Sequence, residues 1–352
     1  MNIKQLAKTL NLSTSTVSRA LNGYTDVNPD TRLRVQQAAQ SLGYRPDASA
    51  RRLVRGDAEA VGIVYSAAAE VLGNPQFLDM TGGLSDRLEQ DQFDLLLALA
   101  KDDHELKIYE RLFRGGRVDS VIVANTQVHD DRINFLLSKN YPFVAYGRTA
   151  NCENYSWLDF DNEQSSALAV EHLLALGHTR IAYIHSPLDL NYAKQRHAGF
   201  LEALQKNGLN CPLAYQSSAV NNRRQAIDVL QSLMQLDPAP TAIIADSNII
   251  GMAIFRGLND LGFKIGQEMS LVINGEVSSE YVLLNQPITT VIQPTAHDTG
   301  VALAEMTFSL LRNRKLAQTH KQELMPPWQL LKTCQLVVGT STGPVPSSTP
   351  LV

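Results

Sequence analysis

Ser13-Thr14-Ser15-Thr16-Val17-Ser18-Arg19-Ala20-Leu21-Asn22-Gly23 decides how the first part of this 352-residue chain folds. Val17, Ala20 and Leu21 recur at helical spacing and form an apolar face. Thr14, Ser15, Ser18 and Arg19 fall on the other side, so small hydroxyls and one guanidinium are left outward. Ser13 is a strong N-cap, and Gly23 supplies the left-handed residue that helix ends favour. A helix of this design suits the major groove of DNA.

The flanks extend the pattern. Asn2 with Gln5 reads as a capping box, and Ile3, Leu6, Ala7 and Leu10 form the buried stripe of a first helix. Asn11-Leu12 makes the turn. Asn28-Pro29 opens a third helix, with Leu33, Val35, Ala38, Ala39 and Leu42 as its predicted stripe and Gly43 as its stop. Three short helices with tight turns predict a helix-turn-helix head whose second helix meets base edges. Through Gly56 there are nine lysines and arginines against three aspartates, a charge of +6, so the chain's −4 leaves −10 on the rest. A basic head on an acidic body fits a protein that neutralises phosphates with one end. The plainer alternative is a small helical bundle with a solvated charged face.

About 290 residues remain, too many for one ordinary domain. Short β-rich runs alternate with helical patterns: Val61–Val64, Leu95–Leu97, Ser120–Val123 and Phe143–Ala145, then Arg180–Ile184, Ala242–Ala245 and Ser270–Ile273. Near-continuous apolar strands separated by helices predict parallel sheets covered on both faces. Two such sheets make two doubly wound α/β lobes. Ligands bind these sheets at the carboxyl ends of their strands.

Leu12-Ser13, Thr16 through Gly23, Leu42-Gly43-Tyr44-Arg45-Pro46 and Ala50-Arg51-Arg52-Leu53 together resemble the lactose/galactose-repressor family of transcription regulators. The likeness continues more loosely to about Val338. It implies an all-α head on a periplasmic-binding-protein-like body, a homodimer on pseudo-palindromic double-stranded operator DNA, and a small-molecule effector. Thr14 and Ser15 match the variable base-reading positions. Arg19 matches a position that commonly reaches the guanine O6/N7 pair. Thr16 and Ser18 fit phosphate contacts, with simple capping as the alternative. Asn22, Ala50 and Leu53 complete the DNA-facing set. In the family the leucine matching Leu53 wedges into the minor groove from a hinge helix, whereas a plain linker would leave Leu53 against the body.

The implied boundaries are 1–45 for the head, 46–57 for the hinge, and 58–338 for the body. Crossovers near Asp161, Val291-Pro294 and Leu324-Pro327 give an N-lobe of about 58–160 and 293–324. The C-lobe is then about 161–292 and 325–338. The Pro/Ser/Thr-rich tail, 339–352, is expected to be disordered.

Effector candidates follow strands or match family positions: Ser66, Asn74, Phe77, Arg148, Trp157, Asp159, Arg196, Asp246 and Glu276. At the last of these the chain reads Asn274-Gly275-Glu276, where either Gly275 or Glu276 falls on the ligand-facing position. A carboxylate accepts two sugar hydroxyls, which favours Glu276. Arg148 and Arg196 have surface ion pairing as their alternative, and Trp157 a place in the core. Asp161-Asn162 fits a helix cap. Carboxylates, arginines and aromatics together suit a neutral polyhydroxy ligand. Tyr146-Gly147-Arg148-Thr149 with Trp157 through Asp161 resembles regulators of α-glucoside and other disaccharide use.

No phosphate-binding Gly-rich loop, HExxH or CxxC occurs, and Gly82-Gly83 is isolated. His172 and His178 are not at ligand spacing, so neither metal nor cofactor is expected. Asp159 and Asp161 sharing a strand face would be the best case for an acid/base pair, but little else argues for an enzyme. A periplasmic sugar-binding protein shares the two-lobed body, yet Met1 runs straight into the head with no apolar signal segment. Cys152, Cys211 and Cys334 imply no disulfide framework, and no apolar run reaches membrane-spanning length. A cytoplasmic regulator is expected. Induction by a sugar is favoured over a corepressor-dependent or activating regulator of the same architecture.

Overall fold

The computed structural model describes residues 2–21, 24, 26–44, 57–66, 74–100, 104–217, 223–277, 287–320 and 323–346. They form two compact units that meet in sequence at Glu59/Ala60. The first holds α1 (Ile3–Leu10), α2 (Thr14–Leu21) and α3 (Pro29–Ser41). Asn2 and Gln5 complete the capping box, each side chain accepting the other's backbone N–H at 3.0 Å. Ser13 caps α2, its hydroxyl accepting from Thr16 N at 3.0 Å. Leu6, Leu10, Val17, Ala20, Val27, Val35 and Ala39 close the head's core. Leu33 and Leu42 do not join it, being 55% and 44% exposed. Leu33 is two positions from Val35, roughly 200° around a helix, so one face cannot bury both.

The second unit contains two six-stranded sheets. The N-lobe sheet holds β1 (Ala60–Ser66), β2 (Asp94–Ala100), β3 (Ser120–Val123), β4 (Phe143–Tyr146), β5 (Ser156–Phe160) and β11 (Gln329–Lys332). Its strands lie parallel in the order β11-β5-β4-β3-β1-β2. Around them run α4 (Pro75–Gln90), α5 (Glu105–Arg114), α6 (Asp131–Ser138) and α11 (Ala296–His320). The C-lobe sheet holds β6 (Ile181–Ile184), β7 (Gln216–Ser217), β8 (Ala242–Ala245), β9 (Ser270–Asn274), β10 (Thr289–Ile292) and β12 (Gln335–Val337). Its order is β12-β10-β9-β8-β6-β7, with β12 alone antiparallel. Its helices are α7 (Asn162–Ala175), α8 (Asn191–Lys206), α9 (Arg223–Met234) and α10 (Asn248–Asp260). The central strands are buried throughout, which is why they read as unbroken apolar runs.

The chain crosses between lobes after β5, after β10, and between β11 and β12. The last crossing corrects the expected one at Leu324-Pro327. Gln329 through Lys332 pair with Trp157 through Phe160, so 329–332 belong to the N-lobe and the switch falls at Thr333-Cys334. Pro326 and Pro327 lie in the coil that leads into β11, with no change of sheet.

The tail also departs from expectation over residues 339–346. Ser341 is fully buried; its hydroxyl donates to Leu271 O at 2.7 Å and accepts from Thr289 N at 2.8 Å. His178 meets the Gly343 carbonyl at 3.0 Å, and Val345 N–H donates to Leu176 O at 3.0 Å. Hydroxyls that look merely polar in composition here satisfy backbone groups of β9 and β10.

Of Gly82-Gly83, Gly83 finds its explanation in packing, while a Cβ on Gly82 would meet nothing within 4 Å. A Cβ on Gly83 would stand 2.0 Å from the His297 carbonyl oxygen, and one on Gly300 would stand 2.0 Å from Met80 O. The two glycines let α4 and α11 touch backbone to backbone. Gly83→Ala is expected to cost about 1–3 kcal/mol in chemical denaturation, the usual penalty of overpacking a tight contact. Unchanged stability would show that the helices separate freely.

Candidate functional site

A cleft of about 630 Å³ opens between the two lobes at the carboxyl ends of their strands. Tyr65 is the last residue but one of β1, Tyr146 ends β4, Asn274 ends β9, and Asn125, Ser186 and Ser247 follow β3, β6 and β8. This is the placement a doubly wound sheet dictates.

The N-lobe wall is aromatic. Tyr65 and Phe77 lie 4.2 Å apart between ring centroids, and Asn125 donates to the Tyr65 hydroxyl at 3.4 Å. Asn74 caps α4 through its side chain, which accepts from Gln76 N at 3.1 Å, and so sets Phe77 on the helix's first turn. Asp159, at the end of β5, is nearly buried. It accepts from Phe160 N at 2.8 Å and Asn162 Nδ2 at 3.3 Å, and pairs with Arg148 Nε at 3.1 Å. Burial nevertheless pushes its carboxyl up to about 6, against the pull of those N–H donors and of Arg148 and Arg196.

The C-lobe wall is built around Arg196. Its Nε donates to Asn162 Oδ1 at 3.0 Å, and its Nη1 donates to the Asp246 carbonyl at 2.7 Å and to Asp246 Oδ1 at 3.3 Å. The guanidinium lies 5.2 Å from the centre of the Tyr192 ring. Asp246 is fully buried and also accepts from Ser186 N at 2.9 Å. Asn274 accepts from Ser165 Oγ at 3.1 Å, while its Nδ2, buried at the cleft, has no partner among the described residues.

Asn74, Phe77, Asp159 and Arg196 therefore line one cavity. Four other candidates do not. Trp157 packs in the core with Tyr155 and Phe143 and donates to Cys152 O at 3.1 Å; the aromatic face open to a ligand is Tyr65–Phe77. Trp157 and Asp159 share a strand face, but only Asp159 stands at the strand's end. Arg148 is held by Asp159 and, at 3.7 Å, by Glu163, so it steadies a carboxylate rather than the ligand. Asp246 sits behind Arg196 with its oxygens occupied. Glu276 is exposed, and Gly275, at φ +103°, takes the cleft position because the chain turns outward directly after β9. Ser66 is the last residue of β1, one step beyond Tyr65.

Sequence reasoning missed Tyr65, Asn125, Tyr146, Tyr192 and Asn274, and favoured a helix cap over ligand contact for Asn162, which lines the cleft. Asn125 and Asn274 were within reach, since each stands at or just past a legible strand. In the head, Thr14, Ser15 and Arg19 are exposed, and Thr16 and Ser18 half-buried. Asn22, Ala50, Leu53 and most of the 46–57 hinge lie outside the described residues.

Across the cleft the lobes are latched by backbone. Gln127 and Leu190 form an antiparallel bridge; Val128 N–H donates to Asp189 O at 2.8 Å and Asn191 N–H to Thr126 O at 3.0 Å. The buried Asn191 side chain adds a bond to the Arg148 carbonyl at 2.8 Å. Asn191→Ala is expected to weaken effector binding about 2- to 10-fold, the worth of one such bond, in calorimetric titration. Unaltered affinity would remove the latch from the binding reaction.

Residues 2–47 match the model of the bacterial regulatory proteins of the lacI family, and residues 58–334 that of periplasmic binding proteins and the sugar-binding domain of the same family. This chain belongs to the LacI family. It is a DNA-binding transcriptional regulator with a sugar-binding body. The HTH-type transcriptional regulator AglR of Rhizobium meliloti is 32% identical over 100% of this chain and 97% of its own. RafR of Escherichia coli is 36% identical over 88% of this chain and 92% of its own. The lac repressor dimer bound to operator and an anti-inducer shares the fold, with a TM-score of 0.78 and 20% identity over 97% of this chain and 99% of that one. A CelR–cellobiose complex does likewise, with a TM-score of 0.70 and 24% identity over the same shares. Among the described residues no helix is long and apolar enough to cross a membrane.

Proposed function

We propose that this LacI-family regulator is a cytoplasmic, homodimeric repressor that leaves its operator when a neutral sugar of disaccharide size enters the cleft. The observation that carries this reading is the cleft's lining. Among the described residues it holds one acid, Asp159, and one cation, Arg196, beside the Tyr65–Phe77 wall and the unpartnered amide of Asn274. Such a lining suits vicinal hydroxyls and a ring face better than a phosphate, which would want more positive charge. The cleft volume sits within the about 300–1,000 Å³ usual for small-molecule sites. The cellobiose held by CelR in this fold supports a disaccharide, and an α-glucoside is the favoured kind.

The cleft binds rather than catalyses in this reading. Asp246 is occupied by Arg196, and Asp161 caps α7 by accepting from Gln164 N at 2.9 Å, so among the described residues of the cleft Asp159 has no second carboxylate beside it. Dimerisation is supported by the edge strand β2, where Leu97 and Leu99 are each 48% exposed. An exposed apolar edge favours pairing with a second copy. Thr14, Ser15 and Arg19 read base edges, Thr16, Ser18 and Asn22 set register, and Ala50 and Leu53 act from the hinge. Effector binding must weaken operator binding by the same factor by which operator weakens effector binding.

A thermal-shift screen of mono- and disaccharides tests the proposal, with each hit added to protein bound to an operator selected from random duplexes. A disaccharide that stabilises the protein and releases the DNA is expected. Stabilisation without any change in DNA binding would overturn the inducer role.

A further inference from the structure

Arg19 does not hang free from the recognition helix. Its guanidinium pairs with Asp26 and lies 5.2 Å from the centre of the Tyr24 ring. Both partners sit between α2 and α3, in a connection that is pinned at several points. Tyr24 N–H donates to Arg19 O at 3.1 Å, and Val27 N–H donates to Tyr24 O at 3.3 Å. Arg32 of α3 donates to the carbonyls of Tyr24 and Val27 at 2.7 and 3.3 Å. Val27 itself is buried in the head's core. The carboxylate of Asp26 is thus presented from a fixed place, while Arg19 remains half exposed.

We propose that Asp26 is a positioning residue for sequence readout, holding the Arg19 fork so that its free donors meet one guanine in each half-site. The inference rests on the reading of Arg19 as a base reader. A guanidinium carries five N–H donors, and the pair with Asp26 leaves enough for a bidentate contact to O6 and N7. Unrestrained, an arginine has about 2 kcal/mol of rotamer freedom, and it swings readily to a phosphate when the base is wrong. Asp26 and Tyr24 remove that escape. A carboxylate near the DNA backbone adds nothing to general affinity, because it repels phosphates; its gain is in discrimination. Exposed ion pairs contribute little to stability, so the fold does not depend on this one.

The test uses the full-length protein and a randomised duplex library at fixed salt, scoring base preference at each position, with non-specific affinity measured on a scrambled duplex. Asp26→Asn is expected to lose about 3- to 10-fold of the preference for guanine at one position per half-site, part of the discrimination a bidentate pair supplies. Preference elsewhere stays, and non-specific binding is equal or tighter because a negative charge has gone. Arg19→Ala abolishes the same preference, and adding Asp26→Asn to it changes nothing further, as coupled residues require. If Asp26→Asn keeps the full preference that Arg19→Ala loses, the positioning role is overturned while the base reader stands. A uniform loss at every position would overturn it in favour of a structural role. If Arg19→Ala itself keeps the preference, the reading beneath the inference falls.

Discussion

Arg196→Ala is expected to raise the effector's Kd by about 100-fold or more, since hydrogen bonds to a charged group are worth about 1.5–3 kcal/mol each. Arg196 is the cation of the cleft lining among the described residues, and it is 7% exposed. The same change strips Asp246, fully buried, of its counter-ion. Breaking a buried pair from one side costs about 3–5 kcal/mol, so the variant's Tm falls as well. The two effects separate in a second variant. Arg196→Leu combined with Asp246→Asn removes both charges; it should recover much of the stability and none of the affinity. Effector titration and thermal denaturation of both variants check this. A wild-type Kd in either one would take Arg196 out of the site.

Effector affinity is also expected to fall by about tenfold per pH unit as the pH drops below about 6. A sugar hydroxyl donates to a carboxylate, and Asp159 becomes a carboxylic acid in that range because burial raises its pKa. The sign for stability is opposite. A folded-state pKa raised from 3.8 to about 6 favours the protonated form, so this group's contribution is present below 3.8 and lost as the pH rises through 6. Effector binding at pH 6 should therefore release a proton, which calorimetry in buffers of different ionisation enthalpy detects. Asp159→Asn should flatten the profile. A pH-independent Kd between 5 and 7.5 would exclude an ionised Asp159 from effector binding.

The parts of the fold that read clearly from sequence are those where one physical rule acts alone. Capping residues announced α1 to α3, and strands buried on both faces announced β1, β3 and β4 of one sheet and β6, β8 and β9 of the other. β5 was harder, because Asp159 interrupts its apolar run, and β11 and β12 are half-exposed edge strands that carry little hydrophobic signal. Their pairing partners lie more than 150 residues away for β11 and about 45 for β12, distances over which local pattern says nothing. The site shows the same limit. Residues placed just after strands were the right neighbourhood, but whether an arginine faces ligand or a carboxylate depends on partners far along the chain. Arg148 and Asp246 found such partners, and Arg196 turned out to have both a partner and a share of the cleft. Ser341 makes the point for the tail: its composition says solvent, and its hydrogen bonds say core.

The latch between Thr126–Val128 and Asp189–Asn191 bears on time as well as affinity. A backbone bridge between the lobes opposes their parting, so where release of a bound molecule needs the lobes to separate, the bridge is expected to slow it. The interval between disappearance of the sugar and return of repression is then expected to lengthen with the stability of these three hydrogen bonds. A cell carrying this protein would keep a short record of a sugar already consumed.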